Sequence, residues 1–135
     1  MTLTKKFITF KDKRGLLIKI LESKFKSCVL VTSKKGTFRA NHYHKKDSHH
    51  CYILEGEIYY FTKSLNKNSK LNRVRVKKGE MVFTPPRLEH LFYFNKDTKF
   101  IVLSPSVRTK KTYEKDIVRL DMHEYPEISK LIKKN

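Results

Sequence analysis

Residues 36–56 read GTFRANHYHKKDSHHCYILEG, a stretch that opens and closes on glycine and carries four of the chain's six histidines. In an extended strand, side chains two apart project to the same face. His42 and His44 therefore point to one side of their strand and Tyr43 to the other. His49 follows the short KKDS turn and is expected to begin the neighbouring strand, where its ring joins the pair. Strand alternation then sends His50 outward. Downstream, HLFYF (90–94) places Phe92 and Phe94 on the face of His90, an apolar wall behind a fifth imidazole.

Strand signals extend outward from this stretch in both directions. Short runs rich in Val, Ile, Phe, Tyr and Thr recur, among them FITF (7–10), GLLIKIL (15–21), SCVLVT (27–32), EIYYF (57–61), RVRV (73–76), MVFTP (81–85) and KFIVLSP (99–105). Turn residues bound each run, and the even spacing predicts an all-β sandwich or barrel. Helical periodicity is visible only at the end. There Pro126 precedes a segment in which Ile128, Leu131 and Ile132 share one helical face. Residues 63–73 (KSLNKNSKLNR) read as a polar hairpin loop. The chain has only Gly15, Gly36, Gly56 and Gly79, so each is expected where a turn demands positive φ. Gly56 reads as a hairpin-like break between two strands.

With 135 residues, 39% of them apolar, the chain has enough material for one domain over 1–135 with a real core. No apolar run approaches the ~18–20 residues of a membrane helix. The first fifteen residues lack the apolar block of a secretion signal. Cys28 and Cys51 form neither a disulfide framework nor a zinc ribbon, so reduced thiols and a cytoplasmic location are expected. The net charge of +18 attracts polyanions. Lysines outnumber arginines 24 to 7, however, and are spread along the whole chain. Base-reading proteins rely on arginine forks, and no helix-turn-helix or zinc-finger pattern is present. No specific nucleic-acid partner and no membrane partner is expected. A phosphate-bearing small molecule suits the charge.

The two glycine–histidine segments resemble the paired motifs of the cupins. The first cupin motif runs Gly, five residues, His-x-His, three or four residues, Glu, six residues, Gly; Gly36, His42, His44 and Gly56 match it, with His49 standing where cupins place Glu. The second runs Gly, five residues, Pro-x-Gly, two residues, His, three residues, Asn. Here Gly79, Pro85 and His90 match, while Arg87 replaces the Gly and Phe94 the Asn. The resemblance implies an antiparallel jelly-roll barrel, closed here by a short C-terminal helix.

A narrower similarity spans most of the chain. Asp12, Arg14, Gly15 and Leu17, then Arg39, His42, His44, Lys45 and Lys46, then Tyr113, Asp116, Ile117 and Arg119 resemble the pattern of RmlC-like cupins. Within these, the likeness is to the small sugar-nucleotide 3,4-ketoisomerases and the dTDP-4-dehydrorhamnose 3,5-epimerases. Those ketoisomerases usually carry Gly where this chain has Ala40, Gln where it has His49 and Trp where it has Glu89. The resemblance implies an isomerase or epimerase acting on a nucleotide-linked keto sugar. A histidine would remove an acidic proton beside the carbonyl, with His42 and His44 as acid and base. Arg39 would steady the developing oxyanion or hold the diphosphate through its fork, and Arg87 and His90 would contact substrate. No cofactor is required on this reading, and a homodimer is expected, with a strand at 7–10 as candidate for exchange.

A second reading rests on the histidines themselves. His42, His44, His49 and His90 would hold one divalent transition metal (Zn, Fe, Ni, Cu or Mn) with imidazoles alone. That protein is a metallocupin: an oxygenase, a lyase or a non-catalytic ligand-binding module.

Overall fold

The computed structural model describes residues 3–4 and 9–133. In chain order the strands are β1 (Leu3–Thr4), β2 (Thr9–Asp12), β3 (Gly15–Ile18), β4 (Ser27–Ser33), β5 (Phe38–His44), β6 (His49–Glu55), β7 (Glu57–Ser64) and β8 (Asn72–Lys77). There follow β9 (Met81–Thr84), β10 (Leu88–Tyr93), β11 (Thr98–Ser104), helix α1 (Lys110–Asp116), β12 (Ile117–Arg119) and helix α2 (Pro126–Lys133). A 3-10 turn at Met122–Glu124 leads into α2.

The strands form two antiparallel five-stranded sheets, ordered β1-β9-β6-β11-β4 and β12-β5-β10-β7-β8, with β2 and β3 as a separate hairpin. From β4 to β12 the chain changes sheet at every connection except β7–β8. That weave is the antiparallel jelly roll. It packs the apolar faces of the central strands against the opposite sheet, while the edge strand β4 leaves Val29 and Leu30 exposed. The pattern is plainest in β6, where His49, Cys51 and Ile53 are buried and their neighbours less so.

Ile53, Ile58, Tyr60, Phe92, Phe94 and Phe100 belong to the cluster between the sheets. Each buried side chain of this size contributes ~1.5–3 kcal/mol relative to an exposed one. A second cluster, with Phe61 and Leu91 against Met122 and Ile128, lies where the C-terminal segment covers the outer face of the second sheet. The second sheet is therefore buried on both sides, which explains why His90, Leu91, Phe92 and Tyr93 are all buried in succession.

Four details depart from the sequence expectations. Gly56 does not close a hairpin: β6 and β7 lie in different sheets, and Gly56 carries the crossover. A Cβ there would stand 2.4 Å from the Asp97 carbonyl oxygen and 2.8 Å from Thr98 Cα, so the corner is tight against the β10–β11 connection. His49 begins β6, but that strand faces the His42–His44 strand from the opposite sheet and does not neighbour it. Helix α1 was not expected, because it buries no residue and so has no apolar stripe; the Thr109–Thr112 capping box supports it instead. In α2, Ile128 is buried but Ile132 is exposed, so the buried stripe is narrower than the sequence suggested.

All four glycines have positive φ, as expected, but so do Ala40 (71°), Asn41 (63°) and Arg87 (64°). Ala40 and Arg87 are positions where the resembling families carry glycine. Of the strand expected at 7–10, residues 7 and 8 lie outside the described residues, and Thr9 and Phe10 open β2. The β2–β3 hairpin exposes Phe10, Leu16, Leu17 and Ile18. Cys28 is exposed and Cys51 buried, both as free thiols. Among the described residues no helix is long and apolar enough to cross a membrane.

Candidate active site

The alternation of β5 directs His42 and His44 into the space between the sheets, and both are buried. His90 reaches the same space from β10, whose register pairs it with His42. His49 enters from the first sheet, paired with Thr84 of β9. His50 turns to the outside and packs on Phe83 at 4.6 Å between ring centroids. The ring centroids of His42 lie 4.9 Å from His44 and 4.8 Å from His90, while His49 is 5.4 Å from His44 and 5.3 Å from His90. These four imidazoles line a cavity of about 320 Å³, of the size that encloses one small ligand. Its other walls are largely apolar, including Val31, Phe92, Phe100 and Val102.

Edge pairing completes the site. β12 aligns Ile117 with His44 and Arg119 with His42, so Asp116, one residue earlier, is delivered beside His44. His44 Nδ1 lies 3.0 Å from Asp116 Oδ2. A carboxylate only accepts, so Nδ1 donates and the basic lone pair of the neutral ring sits on Nε2. Asp116 is held in turn by the backbone N–H groups of Lys46 (2.9 Å) and Asp47 (3.2 Å). His90 Nδ1 bonds the Leu88 carbonyl at 2.9 Å, which again leaves Nε2 as the basic nitrogen. His49 Nδ1 meets Cys51 Sγ at 3.4 Å.

Burial sets the electrostatics. It holds His42 down to about 2, helped by the neighbouring His90 and His44 rings and by Arg119 and Arg108. It holds His90 at about 4 against the opposing Leu88 hydrogen bond. His49 lies well below the ordinary histidine value for the same reason, burial. His44 is lowered too, since burial outweighs the hydrogen bond and charge of Asp116 that pull it upward. The Cys51 thiol is pushed up to about 12 by burial, which makes it a poor nucleophile. The cavity thus presents neutral imidazoles near pH 7, able to accept protons but costly to leave charged.

Arg39 stands at the mouth, exposed, donating through Nε to Ser33 Oγ and through Nη2 to the Thr32 carbonyl (2.9 Å). It separates the histidine cavity from a wider groove of about 670 Å³ lined by Lys34, Glu55, Asp97 and Lys99. The groove is larger, but it contains none of the imidazoles. Arg87 is exposed and does not line the cavity; its backbone N–H bonds the His44 carbonyl at 2.7 Å.

Three neighbours were not singled out from sequence. Asp116 and Tyr113 stood in the run that resembled the family, but nothing in their spacing tied them to histidines some seventy residues earlier. Tyr113 lies 5.9 Å from His42 and 5.8 Å from His44 between ring centroids. Arg108 carried no signal at all. It reaches the cavity by bonding Asp47 from the segment after β11.

For a metal, the donor atoms of His42, His44 and His90 lie within 4.8 Å of one another. Among the described residues, His42 Nδ1 and His90 Nε2 are buried without a hydrogen-bond partner. His49 stands outside that group of three. His44, Asp47 and Asp116 form a second cluster, but Asp47 is already engaged by Ser104 and Arg108, and Asp116 by His44 and backbone N–H groups.

Residues 29–105, more than half of the chain, match the family model described as the cupin domain. No curated protein matches the sequence. Among solved structures, the sugar 3,4-ketoisomerase QdtA from Thermoanaerobacterium thermosaccharolyticum, crystallised with TDP, is 18% identical with a TM-score of 0.71. The match covers 98% of this chain and 96% of that one. The dTDP-4-dehydrorhamnose 3,5-epimerase from Sulfolobus tokodaii is 17% identical with a TM-score of 0.68, covering 87% of this chain and 77% of that one. NovW, a 4-keto-6-deoxy sugar epimerase from Streptomyces spheroides, is 13% identical with a TM-score of 0.69, covering 91% and 70%. At these identities the likeness is one of fold. The matched segment runs from β4 to just past β11 and encloses every strand that carries a cavity histidine, and the chain belongs to the cupin family.

Proposed function

We propose that this cupin isomerises or epimerises a nucleotide-linked keto sugar by proton transfer beside the carbonyl. The observation that carries the reading is the His44–Asp116 pair: a buried imidazole, oriented by a carboxylate at 3.0 Å, in a small cavity with no carboxylate among its described lining residues. His44 takes the α-proton on Nε2, and the electron pair of the broken C–H bond moves into the carbonyl to give an enediolate. Asp116 holds the ring's tautomer and steadies the imidazolium that forms. Protonation of the former carbonyl carbon, with the neighbouring hydroxyl proton passing to the new alkoxide oxygen, gives the isomer; protonation on the other face of the same carbon gives the epimer. His42, neutral and 4.9 Å away between ring centroids, is the second group available for that return. Arg39 at the mouth suits the diphosphate, and QdtA, similar in fold, was crystallised with TDP. Arg87 contacts substrate on this reading only from outside the cavity rim.

Incubating the protein with dTDP- and UDP-linked 4-keto sugars in D₂O tests it. Deuterium should appear at C4 of the 3-keto product, and at C3 of recovered substrate, for a ketoisomerase, or at C3 and C5 for an epimerase. Silence across a broad panel, with no binding, removes the reading. A cytoplasmic homodimer belongs to the same proposal, the exposed apolar hairpin β2–β3 being the surface that a second copy would cover.

The unpartnered His42 Nδ1 and His90 Nε2 favour one other reading, a metallocupin. His42, His44 and His90, with His49 as a fourth, would hold one divalent transition metal, which supplies a Lewis acid when bound. The Asp116 contact to His44 suits that too, since metal-bound imidazoles commonly donate their second nitrogen to a carboxylate. Elemental analysis of protein purified without a nickel column separates the two. Stoichiometric metal that disappears in His42→Ala/His44→Ala supports the metallocupin. Keto-sugar turnover surviving chelation in metal-free protein removes it.

A further inference from the structure

We infer that Arg108 is the cavity's receptor for an anionic oxygen of the ligand, a role that rests on the keto-sugar reading for the ligand's identity. Arg108 lies between β11 and α1 and lines the histidine cavity. Its Nε donates to Asp47 Oδ2 at 2.8 Å. Asp47 is itself fixed by the Ser104 hydroxyl at 2.8 and 2.9 Å and by the Ser48 N–H at 2.9 Å. One edge of the guanidinium is thereby clamped, and its Cζ lies 5.7 Å from the Tyr113 ring centroid. The remaining edge is the unusual part: Nη2 is buried and, among the described residues, has no hydrogen-bond partner.

A buried donor left unmade is costly, more so when it is charged. Such a group calls for an acceptor from the ligand. The cavity's own composition says which charge that acceptor carries. Among the described residues Arg39 and Arg108 are its charged lining residues and no carboxylate lines it, and its four imidazoles are held neutral. Arg39 stands at the mouth with its fork engaged by uncharged groups, Ser33 and the Thr32 carbonyl. Arg108 stands at the histidine end, close enough for its charge to help depress His42, His44, His49 and His90 alike. Two sources supply the same chemistry there: a phosphate oxygen of the nucleoside diphosphate, or the enediolate oxygen formed when the proton leaves.

The test compares the wild-type chain with Arg108→Gln and Arg108→Lys, each checked for native secondary structure by circular dichroism. Three readouts are taken: inorganic pyrophosphate titrated against the histidine imidazole NMR signals, thymidine diphosphate affinity, and the D₂O exchange kinetics. Expected for Arg108→Gln is a tenfold to hundredfold loss, the scale of one hydrogen bond to a charged group, with partial recovery in Arg108→Lys. Loss of diphosphate and pyrophosphate affinity assigns the phosphate. A fall in kcat with unchanged KM and unchanged diphosphate affinity assigns the enediolate. If a folded Arg108→Gln stays within twofold of wild type in all three, the inference is wrong. A wild-type protein inert toward every keto sugar removes the substrate reading alone, provided pyrophosphate still binds and Arg108→Gln abolishes it. If wild type binds neither diphosphate nor pyrophosphate and exchanges nothing, both fall.

Discussion

Replacing Asp116 by Asn probes the proposed chemistry most directly, because it changes one atom's charge at a site with known partners. The carboxylate accepts His44 Nδ1–H at 3.0 Å and the backbone N–H groups of Lys46 and Asp47 at 2.9 and 3.2 Å. An amide offers one accepting oxygen where the carboxylate has two. If that oxygen stays with Lys46, the new NH₂ faces His44 and drives the imidazole to the tautomer protonated on Nε2. The basic nitrogen is then turned away from the substrate. A misplaced tautomer costs about 10⁴ in kcat in the serine-protease triad, and general-base catalysis is worth ~10²–10⁴. The expected fall in the deuterium-exchange kcat is therefore ~10²–10⁴, with KM little changed. Loss of a hydrogen bond to a charged group also lowers folding stability by ~1.5–3 kcal/mol. The pH profile supplies an independent sign. Burial already lowers His44, and Asp116 opposes that; without the carboxylate the ring becomes harder to protonate. The acid limb of the residual activity should move to lower pH. Nitrogen-15 shifts of the His44 ring would report the tautomer directly. An Asp116→Asn enzyme that exchanges deuterium within threefold of wild type, with its imidazole unchanged, would falsify the assignment of His44 as the base.

Arg87→Gly should stabilise the fold by up to ~1 kcal/mol: a left-handed non-glycine residue costs ~1–2 kcal/mol, partly offset by the freedom glycine gains when unfolded, and φ at Arg87 is 64°. Unchanged substrate affinity in the same variant would also withdraw Arg87 from substrate binding, whereas a weaker denaturation midpoint would contradict the strain argument. Gly56→Ala should destabilise by ~2–5 kcal/mol, combining φ of +84° with a Cβ 2.4 Å from the Asp97 carbonyl oxygen; a urea midpoint equal to wild type would show that this corner yields. In metal-free protein, stability should fall as pH drops from ~6.5 toward ~4. The unfolded chain takes up protons there that buried His90, held at about 4, refuses. That group alone contributes about 3 kcal/mol across the window, with His42 and the salt-bridged Glu57, both held at about 2, acting in the same direction. Urea titrations at pH 7.5 and 4.5 giving equal stability would contradict it.

The histidine site was legible in sequence because strand geometry is local. A spacing of two on β5 is enough to put His42 and His44 on one face, and alternation in β6 is enough to choose His49 over His50. The fold class followed from the same periodicity, since runs of alternating apolar residues must bury one face in something. The partners of those histidines were not legible, because their positions depend on register between strands far apart in the chain. Asp116 meets His44 only because β12 pairs with β5 so that Ile117 lies opposite His44. Arg108 enters the cavity only because Asp47, in the turn between β5 and β6, anchors it from the end of β11. Gly56 looked like a hairpin because a positive-φ glycine between two strands marks a reversal of either kind; whether the chain folds back or crosses to the other sheet is decided by which strands compete for pairing. Helix α1 was invisible for the converse reason, having no buried face to leave a period in the sequence. Residue identity and local periodicity determined which side chains face inward, and long-range pairing decided which of them meet.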